Sequence, residues 1–139
     1  MSVEIDILYE GELHCRATHV PSGKTLATDA PVDNGGKGET FSPTDLVATA
    51  FGCCIMTIMA LVAKRSGVDL TGTRVHVVKE MVKEPVRRIG LLKVTVAMPK
   101  GLRLSETDRA KLERAADLCP VKQSLHPDIR VLLEFHYGD

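Results

Sequence analysis

From Leu46 to Ala63 the chain carries no charged residue, and apolar side chains fall on every face of a helical projection. That pattern predicts a long helix buried all round rather than an amphipathic surface helix. Its start is marked by Ser42 as a cap, Pro43 at the first helical position and Asp45 closing a variant capping box. Lys64 and Arg65 suit the negative end of the helix dipole, and Gly67 is a natural stop. A second helix is predicted from an N-cap at Ser105, with Asp108 three residues on, to about Leu118. It is amphipathic, with Ala110, Leu112, Ala115, Ala116 and Leu118 opposite a charged face, and Pro120 ends it near Cys119.

Strand-like alternation fills the remainder. Residues 2–9 place Val3, Ile5, Ile7 and Tyr9 on one side, the pattern of a half-buried strand. After the Glu10-Gly11 turn, residues 12–20 return, and residues 25–29 form a short third strand beyond Pro21-Ser-Gly-Lys24. Residues 73–82 and 91–98 make a pair joined through Pro85 and Gly90, and residues 129–137 a last strand after the 122–127 connection. The predicted order is β-β-β-α-β-β-α-β, an α+β chain of antiparallel sheets around a long buried central helix, in a single domain over 1–139. The glycine-rich stretch Pro31–Gly38 lacks the phosphate-loop spacing and reads as a flexible approach to the helix.

Composition narrows the function. Eighteen basic residues balance eighteen acidic ones without a charge run, tryptophan is absent and aromatics make up 4%, which argues against nucleic-acid binding. The uncharged stretch 46–63 is barely long enough to span a bilayer and carries Gly52, two cysteines and two threonines. A core helix is therefore expected, with no membrane partner. No secretory signal pattern opens the chain, so a cytoplasmic location is expected. The four cysteines, Cys15, Cys53, Cys54 and Cys119, have neither zinc-ribbon nor disulfide-scaffold spacing. His14, His19, His76 and His136 lack metal-ligand spacing, and His126 belongs to a His-Pro-Asp turn. No metal or cofactor is expected.

Cysteine chemistry needs a thiolate, a means of stabilising it and a group to resolve its oxidised product. Neighbouring residues on a helix point about 100° apart, so Cys53 and Cys54 cannot both face one partner. Cys54 shares a face with Val47, Ala50, Ile58 and Leu61; Cys53 shares its own with Leu46, Thr49 and Ala60. Either could meet Cys119 if the second helix crosses the first, and geometry alone does not choose.

The run Phe41-Ser-Pro-Thr-Asp-Leu-Val-Ala-Thr-Ala-Phe-Gly-Cys-Cys, followed by Cys119-Pro-Val-Lys-Gln-Ser-Leu, resembles the OsmC/Ohr family of organic hydroperoxide reductases. The resemblance covers nearly the whole chain and implies an intertwined homodimer with sites at the subunit interface. It implies a thiol-dependent peroxidase without metal or flavin, acting on organic hydroperoxides. The family's reactive cysteine lies eleven residues after the motif proline, which is Cys54 counted from Pro43; Cys119 matches the resolving cysteine, and Cys53 falls at a packing position. Cys54 would become a sulfenic acid, Cys119 would condense with it, and a dithiol reductant such as a lipoyl group would reopen the disulfide.

Two positions depart from the family pattern. Thr44 stands where the hydroperoxide reductases have a glutamate, and Asp45 is one place later. Nine residues on one helix put Asp45 about 13 Å along the axis from Cys54, so it could serve that cysteine only from another subunit; otherwise it is a capping residue. The family's thiolate-stabilising arginine comes from the early strands, where His19 aligns, with Arg16 three residues short and Lys24 beyond. Arg16 is the candidate for a permanent charge. These departures keep a second class open, a non-enzymatic small-molecule binder or redox sensor.

Overall fold

The computed structural model describes residues 1–138. In chain order the elements are β1 (Ile5–Gly11), β2 (His14–His19), β3 (Thr25–Asp29), α1 (Pro43–Arg65), β4 (Arg74–Val82), β5 (Arg88–Ala97), α2 (Glu106–Asp117), α3 (Pro120–Ser124) and β6 (Arg130–His136). They group into two compact units, residues 1–47 and residues from 48 onward, with α1 running through the boundary.

In the first unit, β1, β2 and β3 form an antiparallel sheet in sequence order. The register pairs Ile7 with Ala17 and Ala17 with Leu26, and Tyr9 with Cys15 and Cys15 with Thr28. One face is thus apolar, as the alternation predicts. It is not half-buried, however: Ile5, Ile7 and Tyr9 are 59%, 68% and 60% exposed. Alternation identifies the apolar side of a strand but not whether its own chain supplies the cover.

The glycine-rich loop is tied down rather than slack. A 3-10 turn at Val32–Asn34 is closed by Gly35 and Gly36 N–H groups donating to Val32 and Pro31 carbonyls, and Gly38 N donates to Ala30 O. A side chain at Gly36 would put its Cβ 1.9 Å from Ala30 O, so only glycine fits there. Lys37 adds an ion pair to Glu12 at 2.6 Å.

The start of α1 forms as its sequence signals. Asp45 N donates to Ser42 Oγ at 3.1 Å, and Ser42 N donates to Asp45 Oδ2 at 2.9 Å, a reciprocal capping box. At the other end Gly67 adopts φ +74° and its N–H reaches Lys64 O.

In the second unit α1 does not bury all its faces. Ala48, Phe51, Gly52, Ile55, Met59 and Ala63 form one buried stripe. Phe51, Ile55 and Met59 are fully inaccessible and share a core with Leu92, Val94, Val96, Leu112, Ala116 and Cys119. By length and apolarity α1 could cross a membrane, but this stripe makes it a core helix. Leu61, on another face, is 46% exposed. This unit by itself offers one sheet and two shorter helices, too little to enclose a uniformly apolar cylinder.

The second sheet has the order β4-β5-β6. β4 and β5 are antiparallel, but β6 runs parallel to β5, pairing Leu92 with Val131 and Val94 with Leu133. Antiparallel pairs dominate as expected, and β5–β6 is the one parallel pair. The chain between β5 and β6 contains α2 and α3, and such a helical crossover returns the chain in the same direction. The segment after Cys119 is also not a plain connection. Pro120 opens α3, because proline suits a first helical position as well as it ends the helix before it.

Candidate active site

Cys54 lies on α1 one position before buried Ile55, at the border between the buried stripe and the accessible apolar face that holds Ile58 and Leu61. It is partly buried and packs against the core that contains Cys119. Cys53 points away into an exposed position, with Thr57 Oγ1 donating to its carbonyl at 2.8 Å. Helical geometry therefore separates the adjacent thiols, one toward the core and one toward solvent.

Cys119 is fully buried at the junction of α2 and α3. Leu112 and Ala116, on the buried face of α2, fix the approach, and Ser105 caps that helix by accepting from Asp108 N at 3.1 Å. Cys119 is itself the N-cap of α3: its Sγ accepts from Lys122 N at 3.3 Å. The Cys54 and Cys119 side chains are near enough to act on one another electrostatically. All four cysteines are unbridged thiols.

Burial pushes the Cys119 thiol up, the Lys122 N–H opposes that shift, and the Cys54 sulfur raises it further by hydrogen bond and charge. Two thiols in contact cannot easily both ionise. The arrangement sets two sulfurs beside one another, one fully buried and one partly buried.

Arg16 and Asp45 belong to the first unit and have partners there. Arg16 faces the side of β2 opposite Cys15, is half-exposed, and lies 3.8 Å from Glu10 Oε2. Asp45 caps α1. His19 Nδ1 contacts Ser22 Oγ at 2.6 Å. Among the described residues no group of three or more His, Cys, Asp or Glu side chains is placed to hold a metal ion.

One cluster escaped the sequence reading. Asp29 is 3% exposed, and its carboxylate meets His14 Nδ1 at 2.5 Å and accepts from Glu39 N at 3.0 Å. His14 Nε2 is 3.5 Å from Glu10. No local signal joins residues fifteen apart; the register of β2 with β3, which pairs His14 with Asp29, does. The His14 hydrogen bond holds the Asp29 carboxyl below the usual carboxylate range, against the effect of burial. A depressed native pKa stabilises the fold fully above the unfolded value of about 3.9, and that contribution is lost as pH falls through the lower native value. Asp29→Asn should therefore lower the urea midpoint at pH 7, and its deficit relative to wild type should shrink below about pH 4. A deficit of equal size at pH 7 and in strong acid would contradict this assignment.

Two neighbouring thiols thus lie between a core helix and a helix junction, in an α+β chain of two three-stranded sheets. The family model for OsmC-like protein matches residues 36–134, and the chain belongs to that family. A structure from Psychrobacter arcticus 273-4, described as a candidate osmotic stress induced and detoxification response protein, is 37% identical. It matches with a TM-score of 0.89 over 95% of this chain and 94% of that one. The organic hydroperoxide resistance protein OsmC from Legionella pneumophila is 16% identical, with a TM-score of 0.74 over 98% and 97% of the two chains. OhrB, an organic hydroperoxide resistance protein of Bacillus subtilis, is 18% identical, with a TM-score of 0.69 over 97% and 98%. These last two establish the shared fold. A search of curated proteins found no match.

Proposed function

We propose that the protein is a thiol-dependent peroxidase that reduces organic hydroperoxides. The observation that carries this reading is the juxtaposition of partly buried Cys54 and buried Cys119 in one core, with Cys54 bordering an accessible apolar face. The Cys54 thiolate attacks the outer peroxide oxygen, the O–O bond breaks, and the alkoxide leaves with a proton as alcohol. Cys54 is then a sulfenic acid. Cys119 attacks that sulfur, water leaves, and a Cys54–Cys119 disulfide forms. An external dithiol, of which a lipoyl group is one example, reduces it by exchange and is itself oxidised. The apolar surroundings of Cys54 suit the organic portion of the substrate.

The same reading places the protein in the cytoplasm as a homodimer. Exposed Ile5, Ile7 and Tyr9 on β1 and Leu61 on α1 are apolar surface of the kind a second copy covers. Arg16 and, from another subunit, Asp45 are the residues proposed to serve the Cys54 thiolate in that dimer. A redox sensor is the second reading, favoured by Thr44 and by the engagement of Asp45 in the helix cap.

Treatment with substoichiometric cumene hydroperoxide, followed by mass spectrometry, should find Cys54 linked to Cys119 and Cys53 unmodified. Linkage through Cys53, or no linkage, would reject the peroxidase reading. A single disulfide without dithiol-dependent turnover would favour the sensor.

A further inference from the structure

Cys119 sits inside a short bracket that the proposed chemistry does not by itself require. Asp117, the last residue of α2, is joined to α3 twice: Lys122 Nζ is ion-paired to Asp117 Oδ1, and Gln123 Nε2 donates to Asp117 O at 3.2 Å. Between these ties lies Cys119, whose N–H donates to Ala116 O at 3.4 Å and whose carbonyl accepts from Gln123 N at 3.1 Å. Lys122 therefore acts at both ends. Its ammonium fixes it to Asp117, and its backbone N–H donates to the Cys119 sulfur at 3.3 Å.

We infer that Asp117 is a positioning residue for disulfide formation: by anchoring Lys122 it holds the Cys119 sulfur toward Cys54. This rests on the peroxidase reading for its place in a cycle, but the step itself is simply attack of one thiolate on the oxidised sulfur of the other. Disulfide geometry is narrow, so a sulfur free to swing with α3 spends less time within bonding reach. The lysine is only 26% exposed while the aspartate is 62% exposed, so the pair lies where salt can reach it. Asp117 touches neither substrate nor reacting atoms, and the peroxide step should not depend on it.

Two oxidants separate this inference from the reading beneath it. With cumene hydroperoxide, Asp117→Asn should form the Cys54 sulfenic acid at the wild-type rate, read by dimedone trapping, and then close the disulfide about two- to fivefold more slowly. With diamide, the Cys54 thiolate adds to the N=N bond and Cys119 displaces the hydrazine, closing the same disulfide without a peroxide. The same slowing is expected there. Sodium chloride at 1 M should slow wild-type closure toward the variant's rate and leave the variant unchanged, because it screens an ion pair that the variant lacks. Exchanging the charges, with Asp117→Lys and Lys122→Asp together, should restore much of the rate. Unchanged closure in Asp117→Asn, or equal slowing of sulfenic acid formation and closure, overturns the inference. Absence of both sulfenic acid and disulfide in the wild type after peroxide overturns the peroxidase reading, and diamide closure still decides the role of Asp117.

Discussion

Cys54→Ser is expected to abolish dithiol-dependent consumption of an alkyl hydroperoxide, lowering the rate by about three orders of magnitude or more, the scale on which loss of a nucleophile acts. A serine hydroxyl at this place has neither the acidity nor the polarisability for attack on an O–O bond. Cys119→Ser should behave differently. Serine is a good N-cap and can keep the contact with Lys122 N, so α3 should persist. That variant should reduce about one equivalent of peroxide, stop as the sulfenic acid, and then over-oxidise with excess peroxide. Following peroxide loss and protein mass in parallel distinguishes the two variants. Equal turnover by wild type and Cys54→Ser would refute the assignment of the nucleophile.

Gly52→Val should destabilise the fold by about 2–3 kcal/mol, a large share of the roughly 5–15 kcal/mol that holds a domain of this size. A Cβ at position 52 would come within 2.8 Å of Val77 Cγ2 and 3.4 Å of Val75 Cγ1 on β4. Both neighbours are β-branched and have little rotamer freedom to move aside. The helix must then shift off the sheet, carrying Cys54 with it, so disulfide closure should slow as well. Gly52→Ala should cost less, because the better helix propensity of alanine, about 1 kcal/mol, offsets part of the overlap. Urea unfolding of the two variants measures this order. A wild-type midpoint in Gly52→Val would mean that the helix does not depend on this close approach.

Much of the architecture was legible because it is written locally. The Ser42–Asp45 box, the Gly67 stop, the Ser105 cap and the period-two strands each involve residues within a few positions, and each forms as read. Where reading failed, a distant surface decided. Uniform apolarity in α1 signalled burial, but its own chain covers one stripe; alternation in β1 signalled a covered face that its own chain leaves open. The His14–Asp29 contact was invisible for the same reason, since a strand register creates it.

Sequence alone was enough for the α+β class, the order of the strands and the two longer helices, the long apolar helix and, through the two cysteine motifs, the family. Those properties follow from backbone periodicity, capping and residue chemistry, all of which act at short range. It took the packed fold to show that β6 runs parallel to β5, that Cys119 caps α3 as a buried sulfur, and that Cys53 is exposed while Cys54 packs against the core. Those outcomes depend on how α1, α2 and the second sheet fill one core. The helical phase of the stripe Phe51, Ile55 and Met59 settles which neighbouring thiol turns inward.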